Sequence, residues 1–231
     1  MTPLIKKQTL NKNELGNYRP VSNLPFLSKV TERIVAAQLE RHLQMNHLHD
    51  PQQSAHRAHH SCETAMAFLQ SQVIAAMDNG SVTFLVLLDL SAAFDTINHS
   101  VLLRRLRQQG DTDKAHKWLE KYLKDRSQSV RIEGADSEAV RLRTGVPQGS
   151  VLGPHLFNIY IQDLSRVITN HPDVSYLLYA DDLQVWISAR PNDAEDAMDN
   201  LEACRQSIRE GYSMNHWTLN DTQSEFITFG T

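Results

Sequence analysis

The sequence is poor in cysteine and has no long run of apolar residues. Its 231 residues include two cysteines, Cys62 and Cys204, and both lie in segments with helical spacing. We therefore expect buried free thiols in a reducing compartment rather than a disulfide. No segment approaches the roughly 18 to 20 apolar residues of a membrane-spanning helix, and the N-terminus lacks the apolar core of a signal peptide. Internal repeats and low-complexity segments are also missing, which leaves an ordinary globular chain.

An overall excess of positive charge is also missing. The net charge is −4 and the sequence pI is about 6.2. The charge is uneven, however: residues 1–60 carry +4, residues 61–130 are neutral, and residues 131–231 carry −8. This uneven distribution of charge suits a protein that holds phosphates with one part and cations with another, although a solvated acidic helix explains part of the asymmetry. The length allows one large domain or two small ones.

Two segments predict strands that carry acidic residues. Residues 82–88 form a continuous apolar run, typical of a central strand buried on both faces, and the run ends at Asp89. Residues 175–187 place Asp181 and Asp182 between two apolar runs, which predicts a hairpin with its turn at the carboxylates. Neighbouring carboxylates repel, and a divalent metal ion is their common partner. From these residues alone, a solvated turn and a helix cap at Asp89 stay open as alternatives.

The remaining segments predict mostly helices. Helical spacing occurs over about 25–48, 61–78, 99–109, 113–124, 155–168 and 191–209, with a hairpin between 129–133 and 138–144 and a final strand over 225–229. The apolar face of the first helix is expected to consist of Leu27, Val30, Ile34, Ala37, Leu39 and Leu43. One helix is expected over 155–168, after a loop punctuated by glycine and proline. Glycines before a helix let the backbone approach a ligand.

The segment from 52 to 60 predicts a polar loop. His56, His59 and His60, followed by Cys62, raise the alternative of a zinc site. A structural zinc site needs two ligand pairs separated by a loop, so a polar or phosphate-facing loop is the preferred interpretation.

Five segments in order resemble the motifs of reverse transcriptases from retrotransposons without long terminal repeats, the LINE type. They are Asn17-Tyr18-Arg19-Pro20-Val21-Ser22-Asn23-Leu24-Pro25, residues 53–65, Phe84-Leu85-Val86-Leu87-Leu88-Asp89-Leu90-Ser91-Ala92-Ala93-Phe94-Asp95, Gly145-Val146-Pro147-Gln148-Gly149-Ser150-Val151-Leu152-Gly153-Pro154-His155-Leu156-Phe157, and Tyr179-Ala180-Asp181-Asp182. The resemblance covers nearly the whole chain.

The resemblance implies an α+β fold with the fingers and palm of a right-hand polymerase. Its palm sheet is antiparallel and backed by helices, and the thumb is missing because the sequence stops at residue 231. Residues 1–80 and 112–147 are expected to form the fingers, and residues 81–111 and 148–231 the palm. The implied partners are an RNA template, a DNA primer, dNTPs and other domains of a longer retrotransposon polyprotein, with no membrane. The implied location is intracellular, in cytoplasm and nucleus.

The resemblance also implies a metal site. Asp89 and Asp181 match the carboxylates that hold two Mg²⁺ ions, with Mn²⁺ as an alternative ion, Asp182 as a third acid and the Leu90 carbonyl as a further ligand. Hard oxygen ligands suit Mg²⁺. Two ions about 3.5 to 4 Å apart would activate the primer 3′-hydroxyl and stabilise the departing pyrophosphate.

Five further residues match nucleotide-binding positions of the family. Phe94 matches the bulky ring that rejects a 2′-hydroxyl, with a core phenylalanine as its alternative. Gln148 and Gly149 match the loop that contacts the incoming nucleotide and template. Lys7 and Arg19 match cations that grip the triphosphate.

The sequence departs from the family pattern at two places. Gln223 stands where a lysine would protonate the leaving pyrophosphate, and an amide cannot supply that proton, so we expect slower catalysis. Ala55-His56 replaces the more usual Gly-Phe. These departures leave a second hypothesis, a truncated and catalytically weak or inactive remnant that keeps the fold and some nucleic-acid binding. A two-metal nuclease ranks last, because it gives no use to Phe94 or Gln148.

Overall fold

A computed structural model of the chain describes residues 1–89, 94–110, 113–214 and 224–230. Its strands are β1 Thr2–Ile5, β2 Tyr18–Val21, β3 Val82–Asp89, β4 Ser127–Gln128, β5 Arg131–Ile132, β6 Ala135–Asp136, β7 Val140–Arg141, β8 Ser175–Tyr179, β9 Asp182–Ala189 and β10 Glu225–Phe229. Its α-helices are α1 Phe26–Met45, α2 Cys62–Asp78, α3 His99–Gln108, α4 Asp113–Leu123, α5 Gly153–Ile161, α6 Asp163–Thr169 and α7 Ala194–Met214. Among the described residues, no helix combines the length and apolarity needed to cross a membrane.

The chain divides into two compact units. The first unit comprises Met1–Leu48 and Phe94–Leu156, and the second comprises His49–Ala93 and Phe157–Thr231. The chain therefore builds each unit from two separate segments.

The second unit is organised around a four-stranded antiparallel sheet in the order β10-β3-β9-β8. The predicted central strand is confirmed, because β3 lies between β10 and β9 and most of its side chains are buried. Helix α2 places Ala65 and Leu69 against Leu85, Leu177 and Trp186 of the sheet. Helices α6 and α7 also contact its strands. Burial on both faces explains why the sequence of β3 is apolar without alternation.

Helix α2 begins and ends as its sequence predicts. The Ser61 hydroxyl accepts from the Thr64 N–H, and the Thr64 hydroxyl accepts in return from the Ser61 N–H, which forms a capping box. Gly80 follows the helix at φ 71°. The expectation for the cysteines was half wrong: both are free, but Cys204 is buried while Cys62, in the first turn of α2, is exposed.

The first unit contains helices α1, α3 and α4 with three short two-stranded ladders, β1-β2, β4-β7 and β5-β6. The predicted apolar face of α1 is wrong in the first half of the helix: Leu27 is 75% exposed, and Val30 and Ile34 are also exposed. Leu43 of the predicted face is buried, but the other buried residues of the helix are Glu32 and Ala36. The buried carboxylate has hydrogen-bond partners in a distant loop, so its contacts override the apolar pattern.

The predicted helix over 155–168 is divided into α5 and α6 at Gln162. The Ser165 hydroxyl donates to the Gln162 carbonyl at 2.7 Å. Such a bond from a side chain competes with the helical ladder and favours a break. The predicted hairpin between 129 and 144 is present as two successive ladders, β4-β7 and β5-β6, with its turn at Glu133-Gly134.

Candidate active site

Three acidic residues lie at one end of the sheet in the second unit. Asp89 is the last residue of β3 and lies directly opposite Asp182, the first residue of β9. Asp181 precedes Asp182 in the turn of the predicted hairpin, which is confirmed. Burial raises the pKa of Asp182, and the charges of Asp181 and Asp89 raise it further. Acids 93 residues apart in the sequence are therefore close enough to repel one another.

The turn that carries Asp181 is short and conformationally unusual. Tyr179 pairs with Asp182, so Ala180 and Asp181 form a two-residue loop. Ala180 has a φ of 56°, in the left-handed region that favours glycine. The backbone amide of Ala180 donates to Gln53 Oε1 at 3.1 Å. The neighbours of this turn therefore help to hold a conformation that alanine alone disfavours.

An open cavity of about 410 Å³ lies at the acidic end of the sheet. Its lining includes Asp89, Asp182, Gln184 and Glu225. Leu87 of β3 pairs with Gln184 on one side and with Glu225 on the other, so these side chains share the face of Asp89 and Asp182. Sequence reasoning missed Glu225 as a fourth acid, because only the register between β10 and β3 places it there.

The expected nucleotide-binding residues lie in the first unit. Arg19 is an exposed residue of β2, and Lys7 is exposed just after β1. The Ser22 N–H donates to the Gln148 carbonyl at 2.9 Å, which ties the Gln148 loop to the segment after β2. Gly149 follows at φ 90°. The structure thus links the Gln148 loop to the strand of Arg19, while it shows no contact for Lys7 with either.

Phe94 is half-buried, and its backbone is hydrogen-bonded to the segment before Gln148. The Val146 N–H donates to the Phe94 carbonyl at 2.8 Å, and the Gly145 N–H donates to the Ile97 carbonyl at 2.8 Å. Gly145 has a φ of 85°, and a Cβ on it would lie 2.9 Å from the Asp95 carbonyl oxygen. Only glycine fits so close an approach. Two of the sequence motifs are therefore joined through their backbones.

Two expected residues, Leu90 and Gln223, lie outside the described residues. The roles given to them stay predictions.

Glu32 is a further residue that sequence reasoning missed. It is 1% exposed, and its Oε2 accepts from the Val151 N–H at 2.7 Å and from the Leu152 N–H at 3.4 Å. These amides precede α5, so the carboxylate supports the end of the loop that contains Gln148 and Gly149. No local pattern announces this contact, because its partners are 119 and 120 positions away.

A family model described as "Reverse transcriptase (RNA-dependent DNA polymerase)" matches residues 5–227. The chain belongs to the reverse transcriptase family. The resemblance to the LINE type is confirmed by relatives from mobile elements. The "Probable RNA-directed DNA polymerase from transposon X-element" of Drosophila melanogaster is 30% identical over 232 residues, which cover 98% of this chain and 25% of that protein.

Two other relatives give the same assignment for this reverse transcriptase domain. The "RNA-directed DNA polymerase from mobile element jockey" of Drosophila melanogaster is 27% identical, covering 81% of this chain and 21% of that protein. The "Retrovirus-related Pol polyprotein from type-1 retrotransposable element R2" of Popillia japonica is 27% identical, covering 79% and 26%. The chain thus spans about a quarter of the length of these relatives. Their names do not favour the hypothesis of an inactive remnant.

Solved structures support the fold of the reverse transcriptase domain. The structure of apo telomerase from Candida Tropicalis truncated from its C-terminal domain matches with a TM-score of 0.62 and 16% identity, covering 87% of this chain and 41% of that one. At this identity the likeness shows the fold alone. The expected α+β class is confirmed as a reverse transcriptase and telomerase-like fold of helices and antiparallel sheets.

Proposed function

We propose that this domain is the catalytic core of a retrotransposon RNA-directed DNA polymerase, which adds dNTPs to a DNA primer on an RNA template. One observation carries the proposal: Asp89, Asp181 and Asp182 come together at one end of an antiparallel sheet. Burial and the charges of Asp181 and Asp89 disfavour the charged state of Asp182, and a bound divalent cation would reduce that cost. Residues 81–111 and 148–231 would act as the palm, and residues 1–80 and 112–147 as the fingers.

The residue types suit magnesium, although no group of three such side chains among the described residues is already arranged to hold an ion. Carboxylate oxygens are hard ligands, and Asp89 and Asp182 border a cavity open to solvent. Asp89, Asp181 and Asp182 would hold two Mg²⁺ ions, or Mn²⁺ in their place, with the Leu90 carbonyl as a further ligand. Such ions, when bound, supply neutralisation of the triphosphate and a lower pKa for the primer hydroxyl. The protein's own part is to hold the acids in place and to orient primer and nucleotide.

The first unit carries net charge of the opposite sign. It carries 18 Lys and Arg against 11 Asp and Glu, a net +7, whereas the second unit carries 5 against 16, a net −11. A cavity of about 570 Å³ in the first unit is lined in part by Gln148 and by Arg126, Arg141 and Arg143. Guanidinium groups bind phosphate well. In this proposal, Lys7, Arg19, Gln148 and Gly149 contact the nucleotide, and the arginines contact the nucleic-acid backbone.

Primer extension on an RNA template with Mg²⁺ tests the proposal. Asp89→Asn removes one metal ligand and keeps its shape, so we expect extension to fall by at least about 100-fold. Asp78→Asn, at the exposed end of α2, is the matched control and leaves extension within about twofold of the unaltered chain. Equal activity of the Asp89→Asn and Asp78→Asn variants would contradict the proposal.

Phe94→Ala tests the selection of the sugar. If the Phe94 ring excludes a 2′-hydroxyl, the variant incorporates ribonucleotides at least about tenfold better relative to deoxynucleotides, because removing a steric clash changes discrimination by a few kcal/mol. An unchanged ratio of kcat/KM for dNTP and rNTP would assign Phe94 to packing alone.

A further inference from the structure

The loop before α2 closes the outer edge of the catalytic hairpin. The Leu178 N–H donates to the Gln52 carbonyl at 2.9 Å, and the Ser54 N–H donates to the Leu178 carbonyl at 2.9 Å. Gln53 thus forms a parallel bridge with Leu178 of β8. This bridge brings the buried side chain of Gln53 to the turn that carries the acids.

The Gln53 side chain uses both ends of its amide on one residue of that turn. Its Oε1 accepts from the Ala180 N–H at 3.1 Å, and its Nε2 donates to the Ala180 carbonyl at 3.4 Å. The Ala180 carbonyl belongs to the peptide that joins Ala180 to Asp181. Gln53 is 3% exposed, so water does not compete easily for these bonds. The amide therefore fixes the peptide planes on both sides of Ala180.

The loop itself is anchored, which makes Gln53 a fixed support. Arg57 Nη1 donates to the carbonyls of Asp50 and Gln53, both at 2.9 Å. The Tyr176 hydroxyl donates to the Asp50 carboxylate at 3.1 Å. The Ala55 N–H donates to Gln53 Oε1 at 2.9 Å and orients the amide. These hydrogen bonds hold the Gln53 side chain in place independently of its bonds to Ala180.

We propose that Gln53 is a positioning residue for the acidic site. Its amide holds Ala180 in the left-handed conformation and so keeps Asp181 and Asp182 beside Asp89. A turn with alanine at this φ relaxes readily without such support. The role in catalysis rests on the proposed polymerase function, but the role in the turn does not.

The test compares two variants. Gln53→Met removes all three side-chain hydrogen bonds of Gln53, two to Ala180 and one to Ala55, at similar volume. Gln52→Ala is the control, because Gln52 binds Leu178 through its backbone carbonyl. In primer extension, Gln53→Met should raise the Mg²⁺ concentration for half-maximal rate about tenfold and lower kcat, while KM for dNTP stays within about threefold. Loss of a group that orients metal ligands typically costs 10- to 100-fold. Gln52→Ala should match the unaltered chain. A lower kcat with unchanged Mg²⁺ dependence would overturn the proposal, because loss of folded protein alone has that effect.

Hydrogen exchange gives a readout that does not need activity. The amide of Ala180 should exchange at least about tenfold faster in Gln53→Met, while amides of the β5-β6 hairpin keep their rates. Gln53→Glu keeps the acceptor for the Ala180 and Ala55 amides and loses the donor to the Ala180 carbonyl, so the Ala180 amide should stay protected. If Gln53→Met does not fold, faster exchange of the Ala180 amide in Gln53→Glu would overturn the proposal. Unchanged exchange at Ala180 in Gln53→Met would overturn the proposal. If the unaltered chain extends no primer, the polymerase proposal fails while exchange still tests Gln53.

Discussion

Two hairpins in this protein have two-residue turns with positive φ angles, and the two turns are stabilised in different ways. The β5-β6 hairpin turns at Glu133 and Gly134, whose φ angles are 50° and 86°. It is exposed, and the Arg131 guanidinium binds both oxygens of Asp136 at 2.7 Å across its own ladder. The β8-β9 hairpin turns at Ala180 and Asp181, and its support comes from Gln53, 127 positions away.

The difference separates a turn that is stabilised locally from a turn that is stabilised by distant residues and for which we propose a catalytic role. Glycine and a neighbouring ion pair stabilise the β5-β6 turn from within. Alanine and two carboxylates destabilise the β8-β9 turn, and distant residues compensate. Strain of this kind collects at sites where chemistry requires a fixed arrangement. Variants at matching positions of the two hairpins test this contrast.

The largest difference is expected for matched carboxylates. Asp181→Asn should lower primer extension by at least about 100-fold if Asp181 holds a metal ion as proposed, since such a ligand contributes several kcal/mol. Asp136→Asn should leave extension within about twofold, because it removes a surface ion pair that contributes little. Steady-state rates with Mg²⁺ measure both. Similar losses in the two variants would remove the functional distinction between the hairpins.

The second expected difference is in the sign of the change in the free energy of unfolding when a residue with positive φ is replaced. Gly134→Ala places a Cβ at φ 86° and should lower the free energy of unfolding by about 1 kcal/mol. Ala180→Gly relieves the left-handed cost and should raise it by up to about 1 kcal/mol, after the entropy of glycine in the unfolded chain is subtracted. Urea unfolding measures both. Equal destabilisation by the two variants would show that Ala180 is not strained.

The smallest expected difference is in how the stability of the protein depends on pH when no divalent ions are present. Hydrogen bonds from Arg131 lower the pKa of Asp136 in the folded protein. The carboxylate therefore adds to the free energy of unfolding at pH values above its pKa in the unfolded chain. This stabilisation is lost as the pH falls through its pKa in the folded protein. The pKa of Asp182 is raised, first by burial and then by Asp181 and Asp89, so its charge opposes folding at neutral pH and the penalty disappears on acidification.

Urea unfolding with EDTA at pH 7 and pH 4 tests these opposite signs. Asp182→Asn should be more stable than the unaltered chain at pH 7, and the gap should narrow at pH 4. Asp136→Asn should be less stable at pH 7, and most of this gap should persist at pH 4, because the lowered pKa of Asp136 lies below its ordinary value of 3.8. Added Mg²⁺ should reduce the advantage of Asp182→Asn. If that variant were destabilised at pH 7, repulsion among the acids would not be a dominant force at the site.

The sequence sufficed to predict the elements whose signals are local. The apolar run of β3, the hairpin around Asp181-Asp182 and the Ser61 cap all depend on residues within a few positions of one another. Glu32, Gln53 and Glu225 were not predicted as parts of the site. Each acts through a contact with a residue far along the chain, and neither spacing nor residue type encodes that contact.

The error at α1 has the same origin. Leu27, Val30 and Ile34 form a regular apolar stripe, yet the helix buries the face that contains Glu32. Two backbone amides bind that carboxylate and outweigh the hydrophobic pattern. Burial of a charged group is thus a tertiary event that a helical wheel does not reveal.

The order of strands in the sheet has a consequence for biosynthesis. Strand β3 pairs with β9, and the paired residues lie 93 to 107 positions apart in the chain. During translation its apolar run leaves the ribosome long before the segment that will shield it. Closing so long a loop is slow, and an unpaired apolar strand is prone to aggregate meanwhile. Production of this protein should therefore depend on chaperone supply and on slow, cool expression more than on its final stability.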